Sequence, residues 1–281
     1  MTFLGFSNTY VPFISLVGIG YCLARWAHLN PSNMFPLIRY LFLPVIIYNS
    51  VSSRIPVKTL TLIVLSGAAV TALSKLVFEK VNSRTSVKVS SDAAFPNVAY
   101  FTFPLIAMIF GSKGFGTASS FLIGSFFANE IMKSSNIDWR QLIKEPIVIA
   151  TVLGIVIAIT GYKIPVLGKI IRPVYGASFS IILIYLGTLF HPFGSMNFGE
   201  SLASVLLRMG TGFAAAFVAI KLFSFNGIVS KTIMLCALSP PGAPAGESSH
   251  GSDSEKLGVI VCFIFIILMN HFRWTPWSIR F

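Results

Sequence analysis

The stretch Asp92-Ala-Ala-Phe-Pro-Asn-Val-Ala-Tyr-Phe-Thr-Phe-Pro-Leu-Ile-Ala-Met-Ile-Phe-Gly111 decides how the rest of the chain is read. It is apolar enough to enter a membrane, yet Pro96, Asn97, Thr102 and Pro104 lie in its middle. Proline lacks the backbone N–H and its ring clashes with the preceding turn, so this segment is not expected to be one unbroken helix. In hydrocarbon, freed backbone groups are tolerated only where protein or a water-filled cavity surrounds them. A second stretch, Leu235-Cys-Ala-Leu-Ser-Pro-Pro-Gly-Ala-Pro-Ala-Gly-Glu-Ser-Ser-His250, is interrupted more heavily. Two interrupted spans in corresponding positions of two halves point to the substrate site of a transporter.

The composition agrees with a membrane setting. The chain has 281 residues, 54% hydrophobic and 11% charged, with a mean hydropathy of +0.79. Soluble domains carry about 25% charged residues. Long apolar runs without alternation imply helices rather than a barrel. At about 20 residues per span, roughly ten spans fit with short loops and no separate soluble domain. The net charge of +12 is spread over loops and span ends, where it sets topology, so nucleic acid is not the expected partner. Cys22, Cys236 and Cys262 lack metal-ligand spacing and read as small buried hydrophobes; no metal or cofactor is expected. The apolar run from Tyr10 to Arg25 has no basic region before it and reads as a retained span rather than a signal peptide.

In order, the expected spans are Tyr10 to Trp26, Met34 to Val51, Thr59 to Phe78, the opening stretch, and Phe115 to Met132. Then come Pro146 to Gly161, Arg172 to Phe190, Ser201 to Phe225, the broken stretch after Ser230, and Lys256 to Met269. Gly67-Ala-Ala69 offers a small-residue packing face. The two broken segments would score weakly in a hydropathy window, and eight spans is the alternative count. The polar linker from Lys133 to Glu145 divides the chain into residues 1–138 and 139–281, five spans each. An odd number per half turns the second half upside down, giving inverted repeats. Lys and Arg in the first half favour termini on the outside; those of the second half point the other way.

Asn97 carries a donor and an acceptor at the first break. It reads as a substrate-contacting amide, or more plainly as an amide satisfying freed backbone. Half-helix ends at Pro104 and at Pro240-Pro241 would favour an anion through their dipoles. Glu247 and His250, three residues apart, share a helical face and could carry a coupling proton; alternatively the break ends the membrane segment and both are solvated. Glu130, next to Lys133, reads as interfacial. Arg208 reads as snorkelling to the surface, with binding of an anionic substrate as the sharper alternative. Lys75, Lys221 and His191 read as span-end residues.

At the broken spans the sequence resembles the auxin efflux carrier family. Ala94-Phe-Pro-Asn-Val-Ala-Tyr-Phe-Thr-Phe-Pro-Leu105 is similar to the family's Asn-Thr-Gly-x-x-Gly-x-Pro segment, with Asn97 and Pro104 in place and Ala99 and Thr102 where glycines stand. Gly18-Ile-Gly-Tyr21, Leu43-Pro44, Lys144-Glu-Pro-Ile147, Leu186-Gly187 and Leu235 to Pro241 fit in the same order. The polar run Glu247 to Asp253 departs from the pattern. The resemblance implies an all-α integral membrane fold of two inverted five-helix repeats, with helices 4 and 9 crossing at their prolines. It implies a scaffold of spans 1, 2, 6 and 7 beside a mobile domain of spans 3 to 5 and 8 to 10.

The expected function is therefore a secondary transporter of a small organic anion, coupled to H+ or Na+, multi-pass in the cell membrane, with a homodimer among the expected assemblies. Asn97, Pro104, Pro240 and Pro241 would hold the anion without a cationic partner. The bile-acid sodium symporter family shares the architecture and ranks second, since no set of acidic and amide side chains for sodium stands out. The rival of another class is an intramembrane serine protease using Ser178 with His191 or His250; Gly176-Ala-Ser-Phe179 lacks the final Gly of its motif. A non-transporting sensor or assembly subunit is a third reading.

Overall fold

Apolar sequence of this length must satisfy its backbone internally, and it does so with helices; no strand occurs among the described residues. The structure, a computed structural model, describes residues 3–52, 56–84, 91–133, 139–161, 165–192, 197–242 and 252–271. The helices are α1 (Phe3–Trp26), α2 (Pro31–Val51), α3 (Val57–Arg84), α4 (Val98–Phe110), α5 (Phe115–Lys133) and the short α6 (Trp139–Lys144). They continue as α7 (Pro146–Thr160), α8 (Pro165–Thr188), α9 (Phe198–Leu222), α10 (Gly227–Ala237) and α11 (Asp253–His271). Four of them, α2, α3, α8 and α9, are long and apolar enough to cross a membrane; α4, α7, α10 and Tyr10–Trp26 of α1 are shorter apolar helices. This architecture is compatible with a membrane protein. At 1.5 Å rise per residue, α4 and α10 reach only about two-thirds and about half of the way, respectively, across the roughly 30 Å of hydrocarbon.

Local chemistry sets the boundaries. Asn30 Oδ1 accepts from Ser32 N at 2.9 Å and caps α2. Pro146 opens α7, and Gly161 (φ 70°) closes it in a conformation that favours glycine. Inside α2 and α4 the prolines act alike. Pro44 and Pro104 follow wide turns at Ile38–Phe42 and Val98–Thr102, where Leu43 N donates to Ile38 O and Phe103 N to Val98 O, five residues back. Each ring displaces the carbonyl four residues earlier, so the helix widens by one residue and continues. Pro104 therefore does not break the chain, as the sequence reading expected; the break lies upstream, at Phe95 to Asn97.

Packing interleaves the two halves. α1 lies against α8 with Gly20 and Gly187 at the contact, where an added Cβ would strike Ile184 O and Val17 O. α3 and α5 touch in the same way through Gly67 and Gly124, the small-residue face expected at Gly67. α2 packs on α7, α3 on α9, and α9 on both α10 and α11. Thus α1, α2, α7 and α8 are mutual neighbours, as are α3, α5, α9, α10 and α11, with α5 also packed on α2 and Phe263 of α11 stacked on Phe13 of α1. α4 touches members of both. Residues 1–138 and 139–281 are not separate packing units. The outward faces of α7 and α9 present Ile149, Val152, Val156, Leu206 and Val218, each about half or more exposed, as a lipid-facing surface would.

Candidate functional site

The two interrupted stretches meet. Pro96 and Pro241 face each other in an isolated antiparallel bridge. Asn97 N–H donates to Pro240 O at 2.9 Å, and Gly242 N–H donates to Phe95 O at 2.9 Å. Backbone groups that have left their helices thus satisfy one another inside the protein, as burial demands. The crossing uses Pro96, not Pro104; Pro104 is buried in α4, about two turns beyond Asn97. Pro240 and Pro241 do stand at the crossing. A Cβ on Gly242 would lie 2.6 Å from Asn97 Cβ and 2.8 Å from its Cα, so only glycine lets the two stretches come this close.

Asn97 is 2% exposed, and its backbone and both side-chain polar atoms are hydrogen-bonded. Besides its backbone bond to Pro240, its Oδ1 accepts from Tyr100 N at 3.1 Å, capping α4. Its Nδ2 donates to Glu255 Oε1 at 2.8 Å. Glu255 lies in the first turn of α11 and is 3% exposed. Glu255 forms no salt bridge with any described residue. An ionised carboxylate is costly to bury unless paired, and an ionisable group inside a membrane protein is a functional candidate.

Sequence reasoning placed the last span at Lys256 and so left Glu255 outside it. The signal was nevertheless present. Ser252-Asp-Ser-Glu255 has the spacing of a capping box, and Ser252 Oγ does accept from Glu255 N at 3.2 Å. The Glu side chain goes to Asn97, an amide 158 residues away, and no local pattern reveals that. The pairing also supplies an acidic-plus-amide set where the sequence showed none. Gly258, one turn further along α11, abuts Pro240 and Pro241 and holds the helix against the crossing.

Asn97 also lines a cavity of about 10 Å³, with residues including Leu43, Pro96, Ala99, Tyr100 and Ile147. That is room for about one water. Tyr100 is 5% exposed, and its hydroxyl has no hydrogen-bond partner among the described residues. Its ring meets Tyr185 of α8 edge-on at 5.2 Å. A buried orphan hydroxyl beside a cavity is a donor available to a ligand; sequence reasoning missed it because an aromatic in an apolar run reads as core.

The remaining expectations divide. Glu247 and His250 lie outside the described residues. Glu130 pairs with Lys133 at 3.1 Å, partly exposed, as expected of an interfacial carboxylate. Arg208 does not snorkel: it is fully buried, and Nη1 donates to Ala237 O at 3.2 Å. Ser178 Oγ donates to Val174 O in its own helix at 2.7 Å, while His191 packs against the Tyr21 ring. Cys236 and Cys262 are buried and Cys22 half-buried. Among the described residues, no group of three or more His, Cys, Asp or Glu could hold a metal ion. No protein-family model matches the chain, and no curated protein matches it significantly.

Proposed function

We propose that this protein is a secondary transporter of a small organic carboxylate, working by alternating access in the manner of the auxin efflux carrier family. The observation that carries the reading is the crossing itself. Two interrupted apolar segments meet through the Pro96–Pro241 bridge, with the buried Asn97–Glu255 pair beside it. Irregular backbone within an apolar fold is expected where it lines a transport site. The packing of α1, α2, α7 and α8 on one another, and of α3, α5, α9, α10 and α11 on one another, supports a scaffold and a moving body, with α4 and the α2–α5 and α1–α11 contacts at their boundary. In this reading the chain has ten spans in two inverted repeats and lies in the cell membrane.

Glu255 takes the coupling role that the sequence reading gave to Glu247 and His250. Its charge is met by a proton or a sodium ion at one stage of the cycle, and Asn97 holds the carboxyl in place. The Asn97–Glu255 pair also favours the sodium-coupled variant of the reading, that of a bile-acid-symporter-like carrier. Flux of radiolabelled carboxylates in proteoliposomes, with imposed proton or sodium gradients, tests both. Carboxylate flux that Asn97→Ala abolishes is the expected result; undiminished flux in that variant would refute the role of the crossing.

A further inference from the structure

Arg208 is the largest of the fully buried side chains, 0% exposed near the middle of α9. A guanidinium stays protonated in a protein, so a full positive charge is enclosed here. Its sole hydrogen-bond partner among the described residues is the carbonyl of Ala237, the last residue of α10, reached by Nη1. A helix C-terminus carries partial negative charge, which answers part of that cation and one edge of the group. Nε and Nη2 have no partner among the described residues.

The pattern of what is met and what is not is informative. Nε–H and one Nη2–H point the same way and form the side-on fork with which arginine binds a carboxylate through two parallel hydrogen bonds. The partnered nitrogen is the other one. The protein thus orients the guanidinium through Nη1 and leaves the two-pronged edge unmet. Gly212, one turn along α9, makes room for this: a Cβ there would lie 2.5 Å from Nη1. Glu255 does not fill the fork: it makes no ion pair with Arg208, and Nε and Nη2 have no partner among the described residues. The surroundings connect Arg208 to the crossing. Val205, one turn before it on α9, faces Gly258 of α11, which itself abuts Pro240 and Pro241.

Resting on the transporter reading, we propose that the Nε/Nη2 edge of Arg208 receives the carboxylate of the transported anion. The anion is then held by a cation and not by helix ends and amides alone. Arg208 supplies the positive charge, and the Asn97–Glu255 pair at the crossing handles the coupling cation. Access requires the contact of Val205 with Gly258 to open, a movement of α9 against α11 that alternating access would provide.

The test uses the full chain in detergent and two variants, Arg208→Lys and Arg208→Gln. Lys keeps the charge without the fork, and Gln loses both the charge and the guanidinium's reach to Ala237 O. Benzoate and succinate are titrated calorimetrically, with benzamide and succinamide as neutral controls. The expected result is binding of a carboxylate but not of its amide, weakened about 10-fold by Arg208→Lys and about 100-fold or more by Arg208→Gln. Binding by Arg208→Gln within about 2-fold of the unmodified chain overturns the inference and leaves the transporter reading standing, with Arg208 a cap on α10. Binding of neither carboxylate by the unmodified chain overturns both. If the variants do not fold, phenylglyoxal modification of the unmodified chain in proteoliposomes decides. Labelling of Arg208 slowed by the carboxylate and not by the amide supports the proposal. Absence of labelling, or labelling indifferent to the carboxylate, overturns it.

Discussion

Replacing Gly242 by alanine adds one methyl group at the tightest point of the crossing. The added Cβ would sit 2.6 Å from Asn97 Cβ, 2.8 Å from Asn97 Cα and 3.0 Å from Asn97 Cγ. Gly242 is not in a left-handed conformation, so the penalty is steric and not torsional. Asn97 is held at its N–H by Pro240, at Oδ1 by Tyr100 and at Nδ2 by Glu255, so it has little freedom to retreat. Overpacking of this kind costs about 1–3 kcal/mol. Loss of the two backbone bonds across the bridge adds about 1 kcal/mol each. A total of about 3–5 kcal/mol corresponds to a fall of about 6–20 °C in unfolding temperature for a chain of this size class. Cys236 and Cys262 are buried, so a thiol-reactive fluorophore reports the transition in detergent. Gly176→Ala is the control: nothing lies within 4 Å of its added Cβ, and alanine in a helix interior is neutral to slightly stabilising. A Gly242→Ala protein melting within about 1 °C of the Gly176→Ala control would refute the packing argument for the crossing.

Glu255→Gln keeps an acceptor for Asn97 Nδ2 and removes the charge. Folding should be retained while carboxylate flux loses its response to proton and sodium gradients; an unchanged response in proteoliposomes would remove Glu255 from coupling. Arg39 Nη2 bonds both oxygens of Glu145, at 2.7 and 2.9 Å, with side chains 17% and 25% exposed. A double-mutant cycle of Arg39→Gln and Glu145→Gln, read by thermal unfolding, should give a coupling of about 1 kcal/mol, and zero coupling would mean that this link between α2 and α7 adds no stability. Asn97→Ala removes a helix cap, worth about 1 kcal/mol, and leaves the Glu255 carboxyl without its amide. It should therefore melt measurably lower as well as lose flux, and an unshifted melting curve would show the pair to be loosely held.

Much of the local structure was legible from local chemistry. Spans such as Phe115–Lys133 and Pro146–Thr160 follow from apolar runs with Pro or Gly at their ends, because helix formation depends on residues three or four apart. The wide turns before Pro44 and Pro104 obey the same local physics. What misled was the identity of the breaking proline: Pro104, preceded by residues that can widen a helix, is absorbed, whereas Pro96 finds Pro241 and leaves the helix.

The sequence by itself determined that this chain is apolar, helical and twice interrupted, since a missing proline N–H is a property of the residue wherever it lies. Only the tertiary structure decided that the interruptions meet, that Asn97 reaches Glu255 across 158 residues, and that Arg208 is sealed inside instead of snorkelling. Whether a charged side chain reaches water or is enclosed depends on which helices surround it. For Arg208 these include α10, the next helix in the chain, whose last carbonyl it meets 29 residues away, and no local pattern shows that α10 covers that face of α9.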